Sequence, residues 1–267
     1  MRPLSFVCFA AVLLASACHG AQFGTAQQGA AAYDPGALPS GALGSSIRYG
    51  REIIMHTRRM LPALVGARID CAACHVAGGT QARGGSFAGI AARFPQWNKR
   101  ARRMIALQDR IAECFLYSEN GRPPGYSSKE MIAVVAYLTW LSRATPMLAT
   151  PAPSQGFIVP LPAALPNVGR GAALYAQRCA LCHRANGNGI GESVPPLWGM
   201  QSFNNGAGMA HLNRMTGFVY YNMPQNAPGS LSLRDAEDVA AFVLSHARPK
   251  FRGNALVVFP PQRARVF

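Results

Sequence analysis

Cys71-Ala72-Ala73-Cys74-His75 and Cys179-Ala180-Leu181-Cys182-His183 are the two stretches whose reading decides the fold. Each is a C-x-x-C-H string, the pattern that attaches a c-type haem. The two thiols add to the haem vinyl groups, and the imidazole of the next residue ligates the iron from one side. A pair of structural disulfides would leave both histidines without a role. Two copies in one chain therefore predict two covalently bound haems c. One is held by Cys71, Cys74 and His75, the other by Cys179, Cys182 and His183. Of the seven cysteines, Cys8 and Cys18 lie near the N-terminus, and Cys114 is left over.

Residues 46–148 surround the first string and residues 167–250 the second. Between them, residues 149–166 carry Pro151, Pro153, Pro160, Pro162 and Pro166, a density that reads as a semi-rigid linker. The halves look duplicated. Each opens with a Gly-Arg segment of helical character, Gly50-Arg51-Glu52 and Gly169-Arg170-Gly171. Each closes with an amphipathic run behind a serine: Ser128 before residues 131–141, and Ser232 before residues 236–244. These serines suit N-caps, and the i, i+3, i+4 apolar spacing suits a face packed inward. Met104 and Met131 read as core residues on helix-like segments, and His56 as part of a helix face. Alternating strand patterns are scarce, so the class is mainly α.

The N-terminus reads as an export signal over residues 1–20. Arg2 is followed by an apolar stretch at residues 4–15 and by Ala15-Ser16-Ala17, a small-residue cleavage site. The apolar stretch is too short to span a bilayer. The implied location is the periplasm. Cleavage before Cys18 would make it a candidate for a lipid anchor, the one expected membrane contact; ordinary cleavage is the other reading. Residues 21–45, rich in Gly, Ala, Gln and Pro, read as a flexible leader. Residues 251–267 read as a basic tail.

Lys and Arg outnumber Asp and Glu by 26 to 11, giving a net charge of +15 over 267 residues. Such a charge concerns partners, not fold. No nucleic-acid recognition motif accompanies it, so inorganic anions and acidic redox partners are the better candidates. Residues 46–148 hold 15 basic and 6 acidic residues, against 7 and 4 in residues 167–250. The basic excess sits in the half that holds Cys114.

Each iron needs a ligand on its other side. In the second half, Asn222-Met223-Pro224 follows His183 by about 40 residues. A Met-Pro pair before a final helix resembles the ligand loop of class I cytochromes c, which makes the architecture two tandem class I-like cytochrome c domains. Met209 and Met200 compete with Met223, with core packing as their other reading. His211 and His246 read as surface or core histidines. The first half has no Met-Pro loop. Cys114 lies 39 residues after His75. A lone thiol is commonly plain core. This one follows Lys99-Arg100-Ala101-Arg102-Arg103 and Arg110, and cationic neighbours lower a thiol pKa towards the metal-binding thiolate.

The ordered set Phe94-Pro95, Arg100, Arg110-Ile111, Cys114-Phe115, Ser118 and Asn120-Gly121 resembles the dihaem thiosulfate dehydrogenases, a family of periplasmic cytochromes c. The likeness continues through Ser128-Lys129-Glu130-Met131, Pro195-Pro196-Leu197-Trp198-Gly199, Ser202-Phe203-Asn204 and Asn222-Met223-Pro224. It implies that Cys114 is the distal thiolate of an active-site haem, with Arg100, Arg110 and Ser118 around the substrate. It implies that His183 and Met223 ligate the second haem, because Asn222 stands where some members carry Lys. The implied reaction joins two thiosulfates into tetrathionate, or runs in reverse. Electrons pass through both haems to an external acceptor such as a small cytochrome c. Tyr117 stands where Arg is usual, and Glu119 where an uncharged residue is usual, so one cation is lost and one anion gained in this segment. A non-catalytic dihaem electron carrier and a subunit of a sulfur-oxidising complex are the alternatives. The ligand of the first haem separates the enzyme from the carrier.

Overall fold

The computed structural model describes residues 33–148 and 156–253. The export signal, Cys18, most of the leader, residues 149–155 and the tail from residue 254 lie outside the described residues.

Helix α1 (Gly41–Met55) buries Ile47, Gly50, Ile53 and Ile54, the stripe that an i, i+3, i+4 pattern makes. It starts at Gly41 and so takes the last residues of the segment read as a leader. A short α2 (Thr57–Met60) and α3 (Val76–Gly79) flank the first C-x-x-C-H string. Helix α4 (Leu107–Tyr117) carries Cys114. Helix α5 (Lys129–Leu141) starts where Ser128 accepts a hydrogen bond from the Met131 amide, a cap worth about 1 kcal/mol. Its face of Met131, Val134, Tyr137, Leu138 and Leu141 packs on α1.

The second half repeats this plan. Helix α6 (Val168–Arg178) packs on α9 (Leu233–Ser245), and Ser232 caps α9 through the Asp235 amide. The short α7 (Ala180–His183) carries the second string, and α8 (Leu212–Asn222) also packs on α9. The equivalence rests on two glycines. A Cβ on Gly50 would lie 2.0 Å from the Ala133 carbonyl oxygen, and one on Gly171 would lie 2.0 Å from that of Asp238. The next neighbours are Tyr137 and Phe242, each four residues further on. In both domains the first helix therefore crosses the last one backbone to backbone. Gly50 matches Gly171, not Gly169.

The sequence misses one element. Strands β1 (Gln96–Asn98) and β2 (Arg103–Ile105) form an antiparallel hairpin with Trp97 opposite Met104. Met104 is thus neither helical nor core; it is 53% exposed. Met131 is fully buried as expected.

The two domains share a core. Ala67, Ile69 and Tyr117 of the first domain pack with Tyr175, Phe203, Phe218 and Val239 of the second. Polar contacts stitch the seam. The Arg68 guanidinium donates to the Gly191 and Asn188 carbonyls, and its amide donates to the Gln201 carbonyl at 2.8 Å. Gln81 Nε2 donates to Asn222 Oδ1 at 2.9 Å, and Asn222 Nδ2 donates to the Arg83 carbonyl at 2.9 Å. The described end of the segment read as a linker is docked on domain two. Val159 is buried, and the Phe157 ring meets Phe218 edge-on at 5.6 Å. Phe251, at the start of the tail, meets the Tyr117 ring at 4.8 Å. No helix among the described residues is long and apolar enough to cross a membrane.

Candidate haem centres and anion cavity

At the first string, the His75 Nδ1 lies 2.6 Å from the Gly85 carbonyl oxygen, and its ring stacks on Phe87 at 4.1 Å. The carbonyl fixes Nδ1 as the donor, which leaves Nε2 as the ligating nitrogen. Burial pushes the imidazole pKa down to about 4, so His75 is neutral and able to ligate at physiological pH. Gly85 has a φ of 67°, and a Cβ there would lie 2.5 Å from the Cys74 carbonyl oxygen. The loop can reach His75 only with glycine at this position. Burial pushes the Cys71 and Cys74 thiols up, then Glu119, and also Cys114. Cys114 is therefore a near neighbour of both attachment thiols.

The residues present fit a haem. Two thiols and a neutral, oriented imidazole stand together. Buried donors without partners among the described residues, Trp140 Nε1 and Arg93 Nε, suit a group that brings carboxylates.

Helix α4 places the other side of the site. Its last turn carries Cys114 and Tyr117, and Ser118 follows as the cap. Domain two holds this turn in place: Asn204 Nδ2 donates to the Leu116 carbonyl at 2.8 Å, and the Asn204 amide donates to the Tyr117 carbonyl at 3.0 Å. Burial pushes the Cys114 thiol up, opposed by the Arg110 guanidinium. This corrects the expectation from the basic run. Arg103 is held by Asp109 at 3.1 Å, and Arg110 is the cation that acts on Cys114. Burial outweighs that single charge.

Beside this turn lies a cavity of about 310 Å³ whose lining includes Arg100, Arg110 and Ser118. The fold thus brings together three residues that the family resemblance implies for a substrate site. The lining also includes Lys99, Trp97, Tyr117 and, from domain two, Gly206, Gly208 and Arg214. Arg100 donates to the Gly206 carbonyl at 2.8 Å and sits 4.1 Å over the Tyr117 ring. Arg110 pairs with Glu113 at 3.1 Å.

Two family models match the chain. Residues 66–147 match the SoxA/TsdA cytochrome c domain, and residues 166–243 match cytochrome C oxidase, cbb3-type, subunit III. The thiosulfate dehydrogenase of Allochromatium vinosum is 41% identical over 224 residues, covering 80% of this chain and 83% of the relative. The chain belongs to the thiosulfate dehydrogenase family. The thiosulfate dehydrogenase of Stutzerimonas stutzeri is 35% identical over 218 residues, 80% of this chain and 71% of the relative. The structure of thiosulfate dehydrogenase (TsdBA) from Marichromatium purpuratum, as isolated, superposes with a TM-score of 0.77 at 33% identity. That match covers 81% of this chain and 49% of the other, so the present chain spans about half the length of that protein. As a member of this oxidoreductase family with two cytochrome c domains, the chain is a dihaem c-type cytochrome.

Both departures from the family pattern resolve in the structure. Glu119 does not line the cavity. It is 1% exposed, and its Oε1 lies 3.4 Å from Cys71 Sγ. Burial pushes its carboxyl up to about 8, so it adds no anion to the site near neutral pH. Tyr117 does line the cavity, and Arg214 from α8 supplies a cation there. Arg214 lies a hundred residues after Cys114 in the chain, and no local pattern marks it.

At the second centre, the His183 Nδ1 lies 3.2 Å from the Pro195 carbonyl oxygen, repeating the arrangement at His75. Burial lowers its pKa. Met223 follows α8 directly, is half-buried and packs against the second core. Met209 is a buried member of that core, and Met200 is 76% exposed. His56 ends α1, His211 is exposed, and His246 stacks on Trp198 at 4.0 Å.

Proposed function

We propose that this family member oxidises thiosulfate, joining two molecules through their outer sulfurs. Two dianions become one tetrathionate dianion and two electrons, with no proton exchanged; the reverse reaction uses the same groups. The haems, when bound, supply the electron acceptor beside Cys114 and the relay through domain two to an external carrier such as a small cytochrome c. His75 and Cys114 would hold the first, and His183 and Met223 the second.

The observation that carries this reading is the convergence of Arg100, Arg110 and Ser118 on one cavity next to Cys114. Bringing two dianions together is opposed by their mutual repulsion, and guanidinium groups offset it while orienting the oxyanions. The Ser118 hydroxyl is a neutral donor at the same wall. Arg110 bridges cavity and cysteine, because it lines the one and its charge acts on the other. A thiolate is the form that iron takes, and a bound metal deprotonates a thiol that burial would keep neutral. Export to the periplasm, with or without a lipid on Cys18, is part of the same reading.

The test is Cys114→Ala in the purified holoprotein, assayed with thiosulfate and ferricyanide. Both haems stay attached, and turnover falls by at least ~100-fold, as when a group that touches the reacting atoms is removed. Electron paramagnetic resonance of the wild-type ferric protein shows the compact g-spread of a thiolate-ligated low-spin haem. A fully active variant, with no such signal in the wild type, overturns the enzyme reading in favour of an electron carrier.

A further inference from the structure

Arg214 is a cavity guanidinium that the reaction outlined above leaves without a task. It is half-buried on α8, and its Nη1 lies against Gly208, where a Cβ would come within 2.8 Å. Among the described residues its guanidinium has no hydrogen bond and no carboxylate partner. Its surroundings are unfavourable to a charge. Burial lowers its pKa, and Arg110 and Arg100 lower it further. Three guanidinium groups thus repel one another across one cavity, and only Arg110 has a carboxylate, Glu113, to offset its charge. A second group is out of balance in the same wall. Tyr117 is 3% exposed, yet its hydroxyl has no hydrogen-bond partner. That hydroxyl lies within electrostatic range of the Arg110 guanidinium. A buried hydroxyl left unsatisfied keeps its full desolvation cost, and unpaired, partly buried cations add to it.

Both imbalances vanish if a second oxyanion sits in the cavity. We infer that Arg214, Arg100 and the Tyr117 hydroxyl form an oxyanion subsite at the domain seam, which shares Arg110 with the Ser118 end beside Cys114. It takes the sulfonate of the second thiosulfate, or equally the far sulfonate of tetrathionate. The cavity is long enough in lining to support this: it runs from Ser118 on domain one to Gly208 and Arg214 on domain two. Its volume of about 310 Å³ leaves room for more than one tetrahedral oxyanion. Arg100 is itself fixed from domain two through the Gly206 carbonyl, so domain two builds the outer half of the site. The inference also accounts for Tyr117. With a cation already supplied across the seam by Arg214, a neutral donor at position 117 completes the subsite without adding a further positive charge.

This rests on the thiosulfate reading, and the experiment separates the two. Tetrathionate binding to the ferric holoprotein is measured by titration calorimetry, where no reductant is present to turn it over. Arg214→Gln weakens binding at least tenfold, Arg214→Lys by clearly less, and Tyr117→Phe by several-fold. Haem spectra and melting temperature stay as in the wild type. In steady-state thiosulfate oxidation, Arg214→Gln raises KM at least tenfold and changes kcat less than threefold, because Arg214 binds and does not touch the reacting sulfur. Tetrathionate affinity within twofold of wild type in Arg214→Gln overturns the subsite. If no variant and no wild type turns over thiosulfate, the functional reading fails, and the calorimetry still decides the subsite.

Discussion

At the scale of single residues, side chains whose chemistry requires a fixed spacing are legible in the sequence. Two thiols and a histidine must stand in a five-residue string to hold a haem, so those six residues could be read directly. Cys114 could be placed as a candidate, but its environment could not. The run from Lys99 to Arg103 reads as one cationic cluster, whereas the hairpin sends Arg103 to Asp109 and leaves Arg110 as the cation that acts on the thiol. Glu119 shows the same limit: a carboxylate counted as an anion in the sequence is a buried acid in the structure. Its folded pKa of about 8 lies above the unfolded carboxylate value of about 4.3. The folded state therefore holds a proton that the unfolded state lacks across that window. Stability from this group is present below pH 4.3 and is lost as pH rises towards 8. Glu119→Gln removes the dependence. Thermal melts at pH 5 and pH 8.5 should show the variant gaining on the wild type by about 1 kcal/mol or more at the higher pH. A difference that does not change with pH would mean that Glu119 is ionised in the fold.

At the scale of elements, the serine caps and apolar stripes of α5 and α9 are visible in sequence because they are local. The hairpin is not, since strands of three residues rich in Arg, Asn and Gln carry no alternating pattern. The packing of α1 on α5 and of α6 on α9 is half-legible: the Gly-Arg segments stand out, but which glycine meets the partner backbone does not. That contact gives a direct prediction. Gly171→Ala puts a methyl group 2.0 Å from the Asp238 carbonyl oxygen, and backbone cannot rotate away as a side chain can. The nearby Asp238 carboxylate, fully buried, is also held by Arg170 at 2.6 Å. Separation of α6 from α9 should cost about 1–3 kcal/mol, the usual range for overpacking. Gly50→Ala should cost a similar amount in the first domain. Thermal denaturation of the two holoprotein variants measures both costs. A neutral Gly171→Ala would mean that the helices part without strain.

At the scale of the whole molecule, two duplicated domains were legible and their union was not. The seam is made largely by side chains donating to backbone carbonyls, such as Arg68 to residues 188 and 191 and Asn204 to Leu116, and carbonyls leave no mark in a sequence. The union has a thermodynamic consequence. Tyr117, Ala67 and Ile69 belong by sequence to domain one and by packing to the core of domain two. Unfolding domain two alone would expose those residues, release Asn204 from the last turn of α4 and free Arg100 from Gly206. Little of domain one's site would survive, so the cost of partial unfolding approaches that of unfolding everything. The holoprotein should therefore melt in a single calorimetric transition, with the calorimetric enthalpy equal to the van't Hoff enthalpy. Asn204→Ala removes the bonds to the Leu116 carbonyl and to Asn120 Oδ1, leaving buried groups unpaired at a cost of about 1–3 kcal/mol. That variant should melt earlier and should begin to split the transition in two, because it weakens the seam more than either core. Two separated transitions in the wild type would show that the domains are independent, and that the cavity between them depends on docking instead of folding.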